Sequence, residues 1–67
     1  MMAMAKGEPL RSREQAGHTQ KDAAAVLDVS YRTWQDWERG IAPMPLHALK
    51  YYRHVTGLER IPFEAAE

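Results

Sequence analysis

Apolar and polar positions follow a helical period in four stretches of the chain, each bounded by a proline, a glycine or a capping residue. The pattern predicts helices at about 9–16, 20–27, 31–39 and 45–56. No stretch shows the two-residue alternation of a strand, and no segment is repeated. The sequence therefore predicts an all-α fold, a compact bundle of four to five helices, in which the last residues supply a short fifth helix or an extended arm.

Capping residues mark the predicted helix ends. Thr19 with Asp22 three residues later has the spacing of a capping box, and Ser30 is the next N-cap. Gly17 and Gly40 follow the first and third helices, where left-handed C-terminal caps are common. Because only three or four residues separate the second and third helices, we expect the sharp turn of a helix-turn-helix rather than a hairpin with a long loop.

The third predicted helix has two faces. With Tyr31 at 0° and about 100° per residue, Trp34 and Trp37 fall near 300° and 240°. The polar-tipped residues share an arc of about 140° on the opposite side; they are Tyr31, Arg32, Gln35, Asp36 and Arg39. We expect the tryptophans to pack on the Ala-rich second helix and on the apolar stripe of the fourth, rather than to stack on single-stranded bases. That stripe comprises Leu46, Leu49, Tyr52 and Val55.

The polar arc carries side chains that suit the edges of DNA bases. Arginine can fork onto guanine O6 and N7, glutamine pairs with adenine N6 and N7, and aspartate can accept from cytosine N4. A solvated helix surface is the simpler interpretation of such an arc. The helix-turn-helix spacing favours base recognition.

Composition excludes several classes of function. The 67 residues make one domain and contain no cysteine, which excludes a disulfide framework and a thiolate zinc site. His47 and His54 share a helix face but lack a third ligand, so we expect no metal. We also expect no cofactor, and no small-molecule ligand is evident. No phosphate loop or nucleophile with a local base is present, so no enzyme is predicted. The first residues lack the apolar run of a signal peptide or membrane span, and we expect a cytoplasmic protein.

The run "TQKDAAAVLDVSYRTWQDWERG" with the following "IAPMP" resembles the helix-turn-helix of the Cro and lambdoid-repressor (XRE-like) superfamily, over about 10–57. The residues that carry the resemblance are Thr19, Gln20, Val29, Ser30, Trp37, Glu38, Gly40 and Pro45. Two positions depart from the family pattern: His18 replaces an apolar residue, and Asp28 replaces the turn glycine, whose left-handed geometry aspartate tolerates at some cost. More narrowly, "YRTWQDWE" is similar to small phage and mobile-element regulators, including anti-CRISPR-associated repressors.

The resemblance implies roles for individual residues. The base-facing positions match Tyr31, Arg32, Gln35 and Asp36. The phosphate-contacting positions match Gln20, Thr33 and Arg39. Core positions match Ala24, Leu27, Trp34 and Leu46. Together they imply a regulator that reads double-stranded DNA, although the net charge of zero departs from the basic character of many nucleic-acid-binding domains.

A single recognition helix reads only about three to five base pairs, so we expect a homodimer on a palindromic operator. Residues 1–8 would be a flexible N-terminus, 9–57 the DNA-binding domain and 58–67 a tail that contributes to the dimer. The predicted dimer surface is formed by Tyr51, Leu58, Ile61 and Phe63. The expected function is (auto)repression by promoter occlusion; the alternative is an antitoxin-type module that binds a protein and DNA secondarily.

Overall fold

The computed structural model describes residues 7–58, and this part of the chain forms four helices. They are α1 (Glu8–Ala16), α2 (Gln20–Leu27), α3 (Tyr31–Arg39) and α4 (Leu46–Val55). The predicted all-α fold is confirmed, and each helix end lies within one residue of its predicted place. Glu8 is the first residue of α1 and is buried, so this helix begins one residue earlier than predicted.

The helix starts are fixed by the predicted side chains. The Thr19 hydroxyl accepts the Asp22 N–H at 3.0 Å, and the Asp22 carboxylate accepts the Thr19 N–H at 3.1 Å, which completes the capping box. The hydrogen bonds from Thr19 hold the pKa of Asp22 below its ordinary value. The Ser30 hydroxyl accepts the Thr33 N–H at 3.0 Å. These bonds satisfy backbone donors that an isolated helix leaves unpaired.

The turn between α2 and α3 has left-handed geometry without a glycine. Asp28 adopts φ 56° and ψ 40°, and it is the one non-glycine residue with positive φ in the described part of the chain. Its N–H donates to the Ala25 carbonyl, and the Val29 N–H donates to the Ala24 carbonyl. These bonds close the helix end and redirect the chain into α3. The departure at Asp28 therefore leaves the helix-turn-helix geometry intact.

The tryptophans form the centre of the core. Trp34 is fully buried, and its ring centroid lies 5.6 Å from that of Trp37 and 5.1 Å from that of Tyr52. Ala23 and Ala24 are also buried, and their small side chains let α2 approach α3 closely. The two rings hold α3 against α2 and α4, as predicted, and this packing leaves no face for stacking on bases.

One face of α4 differs from the predicted apolar stripe. Leu49 and Tyr52 are buried, but Leu46 is only partly buried and Val55 is 48% exposed. A strict three-residue repeat drifts by about 60° at each step of an α-helix, so the ends of the stripe diverge. Arg53, about 40° from Leu49 on the wheel, occupies the buried face instead.

The Arg53 guanidinium is buried, and neutral polar groups accept its hydrogen bonds. It donates to the Ser12 hydroxyl at 2.9 Å, to the Gln15 side-chain carbonyl at 3.1 Å and to the Leu58 carbonyl at 2.9 Å. Because a buried charge without partners is strongly unfavourable, these bonds help to stabilise Arg53 in its buried position. They also tie α1 to the end of α4.

The position of Leu58 differs from its predicted place on the dimer surface. Its side chain is buried within its own chain, and its N–H donates to the Arg53 carbonyl at 2.7 Å. Leu58 therefore packs inside its own domain and is not exposed to form part of the predicted dimer surface. Tyr51 is 54% exposed on α4, whereas Ile61 and Phe63 lie outside the described residues. None of the four helices is long and apolar enough to cross a membrane.

Candidate nucleic-acid interface

The polar residues of α3 point away from the core. We call Tyr31, Arg32, Gln35, Asp36 and Arg39 the outer face of α3. Tyr31, Arg32 and Arg39 are exposed, and Gln35 and Asp36 are partly exposed. Because Trp34 and Trp37 are buried on the other side of the same helix, the outer face is held on a rigid support. The sequence-predicted base-facing residues thus share one solvent-facing surface.

Two residues of the outer face form an ion pair. The Arg32 Nε lies 3.1 Å from the Asp36 Oδ1, one helical turn away. The Arg32 side chain is 75% exposed and that of Asp36 is 21% exposed. The pair places a matching cation beside the one carboxylate of this face, so the outer face does not present an isolated negative charge.

Gln20, the predicted phosphate contact on α2, lies directly beside the outer face of α3. Its Nε2 donates to the Glu38 Oε1 at 2.9 Å, and its Oε1 accepts from the Gln35 Nε2 at 3.5 Å. The start of α2 and the middle of α3 therefore meet at this point. The contact fixes how the Gln20 amide is oriented.

The other two predicted phosphate contacts lie at opposite ends of α3. Thr33 is partly buried in the first turn, where its hydroxyl is 2.9 Å from the Ser30 hydroxyl. Arg39 is exposed in the last turn. Arg39 is thus free to reach outward, whereas Thr33 already takes part in the helix cap.

Glu38 connects three of the helices, a role that was not predicted from the sequence. Its carboxylate accepts from the Arg13 Nε at 2.5 Å and Nη2 at 3.2 Å, from the Gln20 amide, and from the Trp34 indole N–H at 2.5 Å. One side chain thereby bonds to α1, α2 and α3. On the wheel Glu38 falls near 340°, between Trp34 near 300° and Tyr31 at 0°. This position at the border of the core face and the polar arc was the signal available in the sequence.

The Glu38 carboxylate is stabilised in its charged form. Burial alone would raise the pKa of Glu38, but hydrogen bonds from Arg13, Trp34 and Gln20 outweigh it and hold the pKa below the ordinary value. The hydrogen bond with Glu38 likewise raises the pKa of Arg13. The network is therefore a fixed ion pair that sets the position of α3 and of the Gln20 amide.

An open groove of about 480 Å³ lies between the start of α2 and the start of α3. It is lined by Arg13, His18, Thr19, Gln20, Lys21 and Tyr31. The Lys21 ammonium sits 5.6 Å from the centre of the Tyr31 ring, at the distance of a cation–π contact. Cationic side chains and the first turn of a helix both favour an anion. The groove adds Lys21, which the sequence analysis did not single out, to the surface beside the outer face.

His18 has a structural explanation. Its Nδ1 lies 2.8 Å from the Tyr52 hydroxyl, and the two rings meet edge to face with centroids 5.9 Å apart. Burial raises the pKa of Tyr52 to about 12, so its hydroxyl stays protonated. The histidine therefore fills the usual apolar position with a hydrogen-bonded ring. Within residues 7–58 no group of three His, Asp or Glu side chains is arranged to hold a metal ion.

Comparison with known families matches residues 11–51 to a helix-turn-helix family. The matched segment covers more than half of the 67 residues and contains α2, the turn, α3 and the whole outer face. Neither the curated proteins nor the solved structures yield a significant match. The family consists of DNA-binding regulators and not of enzymes. The chain belongs to the Cro-like (XRE) helix-turn-helix family of DNA-binding transcription regulators.

Proposed function

We propose that this protein is a sequence-specific repressor that places α3 in the major groove of double-stranded DNA. The observation that carries the proposal is the division of α3: Trp34 and Trp37 are buried in the core, while Arg32 extends from the opposite side. A helix anchored in this way presents hydrogen-bonding groups at a fixed angle. The major groove admits a helix and exposes a distinct pattern of donors and acceptors for each base pair.

The charge distribution supports phosphate contacts on both sides of the outer face. Lys21 lies beside Tyr31 at the start of α3, and Arg39 lies at its other end. Asp36 is paired with Arg32. Although the net charge of the chain is zero, cations lie near both ends of the outer face, where we propose that the DNA backbone borders the groove.

The length of α3 favours a dimer. Its nine residues rise about 13 Å, which corresponds to about four base pairs. A site this short recurs throughout any genome, so two copies on half-sites about 34 Å apart are needed for specificity. A dimer bound across a promoter would exclude polymerase from the same DNA, which is the repression mechanism that we propose.

The dimer surface that we propose includes the exposed face of α4 around Tyr51. Sedimentation equilibrium of the full chain across a concentration range tests it, with Tyr51→Glu as the variant and Lys50→Glu as the matched control on the same helix. We expect Tyr51→Glu to weaken association much more than Lys50→Glu. A wild-type chain that stays monomeric at high concentration would rule out the dimer.

DNA binding is tested by selecting sites from a random duplex library and then measuring affinity for a selected and a scrambled duplex at two salt concentrations. We expect both duplexes to bind at low salt, and the selected one to bind at least about 10³-fold more tightly. Both affinities should fall steeply with salt, since cations displaced from the DNA enter solution.

Single-charge variants separate the roles of the residues. Arg39→Ala should weaken binding to all duplexes about equally and reduce the salt slope by about one, as expected for a phosphate contact. Arg32→Ala should relax sequence preference at one position. Lys50→Ala removes the same charge from the exposed surface of α4 and serves as the control. Equal wild-type affinity for selected and scrambled duplexes would refute sequence-specific regulation, and no binding at low salt would refute DNA binding altogether.

A further inference from the structure

The Arg32–Asp36 pair constrains how the arginine can approach DNA. The contact joins the Arg32 Nε, on the side edge of the guanidinium, to the Asp36 Oδ1 at 3.1 Å. Asp36 is the less exposed partner, 21% against 75%, so it lies closer to the body of the domain. The carboxylate therefore contacts the arginine through Nε, and the Arg32 side chain, 75% exposed, is otherwise open to solvent.

We infer that Asp36 is a positioning residue that presents Arg32 end-on to a guanine in the major groove. A guanidinium carries five N–H donors in one plane, and Asp36 engages the donor on Nε. The two terminal nitrogens remain for a partner with two adjacent acceptors. Guanine offers that pair in O6 and N7, whereas adenine places a donor at N6 beside N7. This inference rests on the proposed function and adds to it the base that Arg32 reads.

The pairing with Arg32 also explains why an acidic residue, Asp36, lies on the outer face of α3. An unpaired Asp36 would repel the DNA backbone, and the sequence analysis placed it among the base-facing residues without a partner. Bound to Arg32, it removes the freedom of a long side chain before DNA arrives. Ordering such a side chain on binding lowers affinity by about 2- to 12-fold. Because Asp36 orders Arg32 beforehand, this loss of affinity would not arise when Arg32 binds guanine.

Two variants at Asp36 separate positioning from charge. Asp36→Ala removes both the carboxylate charge and the acceptor for Nε. Asp36→Asn removes the charge but keeps an oxygen that can accept from Nε. Arg32→Ala and the double variant Arg32→Ala/Asp36→Ala complete the set, and circular dichroism melting checks that each variant folds.

The measurement is the affinity of each full-length variant for the selected duplex, for single-base replacements at every position, and for a random duplex. We expect one guanine whose preference disappears in Arg32→Ala. Asp36→Ala should lower the preference for that guanine about 2- to 12-fold and also raise affinity for random duplex, since a negative charge is lost. Asp36→Asn should raise random-duplex affinity similarly while keeping more of the guanine preference. Neither pattern follows from a purely structural role.

The double variant tests whether the two residues act together. If Asp36 acts through Arg32, the loss of Asp36 should have no further effect on guanine preference once Arg32 is alanine. Replacing the guanine by 7-deazaguanine, which lacks the N7 acceptor, should weaken wild-type binding and leave Arg32→Ala unaffected.

Three results would overturn the inference. Unchanged guanine preference in Asp36→Ala, with loss in Arg32→Ala, would mean that Arg32 reads the base without support. A change at a different base pair in Asp36→Ala would mean that Asp36 contacts a base directly. In both cases the proposed function would stand. A wild-type protein that binds every duplex equally would overturn the proposed function and this inference with it.

Discussion

Replacing Glu38 by glutamine is predicted to destabilise the domain far more than the same change at an exposed glutamate. The side chain is only 9% exposed and accepts hydrogen bonds from α1, α2 and its own helix. Glutamine keeps the volume and one acceptor oxygen. It removes the negative charge and places an amide N–H₂ group where Arg13 or Trp34 now donates.

The size of the destabilisation follows from the hydrogen-bond donors that lose a charged acceptor. A hydrogen bond to a charged group contributes about 1.5–3 kcal/mol, against about 0.5–1.5 kcal/mol for a neutral one. The Arg13 guanidinium, 18% exposed, loses its carboxylate and is only partly rescued by water. We therefore expect a loss of about 2–3 kcal/mol in the free energy of unfolding. A core this small provides only about 3–5 kcal/mol in total, so the expected loss is about 40% or more of the stability.

Urea unfolding followed by circular dichroism measures the effect. With a slope of about 1 kcal/mol per molar urea for a small domain, the midpoint should fall by about 2 M or more. Glu14→Gln makes the same chemical change at an exposed position of α1 and should shift the midpoint very little. If Glu38→Gln and Glu14→Gln unfolded at the same urea concentration, the connecting role of Glu38 would be refuted.

The pH dependence of the free energy of unfolding provides a second test of the Glu38 ion pair. The folded state holds the pKa of Glu38 below its ordinary value of 4.5, so the folded state binds this proton less readily than the unfolded state. Its stabilisation is therefore fully present above pH 4.5 and is lost as pH falls through the folded-state pKa. The difference in stability between wild type and Glu38→Gln should be largest near neutral pH and shrink in acid. A difference that stays constant in acid would contradict the ion-pair assignment.

Three further substitutions test other parts of the fold. Asp28→Gly should raise the melting temperature by a few degrees, since a left-handed residue other than glycine carries about 1 kcal/mol of strain; a lower melting temperature would contradict the strain. Tyr52→Phe should lower the free energy of unfolding by about 1 kcal/mol through loss of the His18 bond, and an unchanged urea midpoint would show that this bond contributes nothing. Trp34→Ala should lose about 3–5 kcal/mol and leave the chain largely unfolded by circular dichroism; normal folding would contradict the inward position of Trp34.

The helices could be predicted because their boundaries are encoded locally. The side chains that cap helix starts, those of Thr19, Asp22 and Ser30, bond to backbone groups only three residues away. Gly17 and Gly40 end helices because glycine readily adopts the left-handed backbone conformation. Periodicity then places large apolar groups on one side of α3. Capping residues and periodicity both lie within short segments of the sequence, so the helices can be predicted without knowing the fold.

The contacts that join the helices could not be predicted in the same way. Arg13 and Glu38 are 25 residues apart, and Arg53 and Ser12 are 41 apart. Local spacing gives no sign of which charged residue will find a distant partner and which will face solvent. Arg53 was therefore missed as a buried residue. Asp36 is the opposite case, because its partner Arg32 lies at the ordinary spacing of four residues and could have been read from the sequence.

The most direct test of the account is an NMR titration of the ¹⁵N-labelled full chain with its selected duplex. The account predicts that the largest changes in amide and side-chain shifts map to the outer face of α3, with Arg32 and Gln35 foremost, and to Gln20 and Lys21 at the start of α2. The scrambled duplex should produce weaker changes confined to the basic residues around that face. Changes that centre on Tyr51 and the exposed face of α4, with α3 unaffected, would contradict the claim that α3 reads DNA.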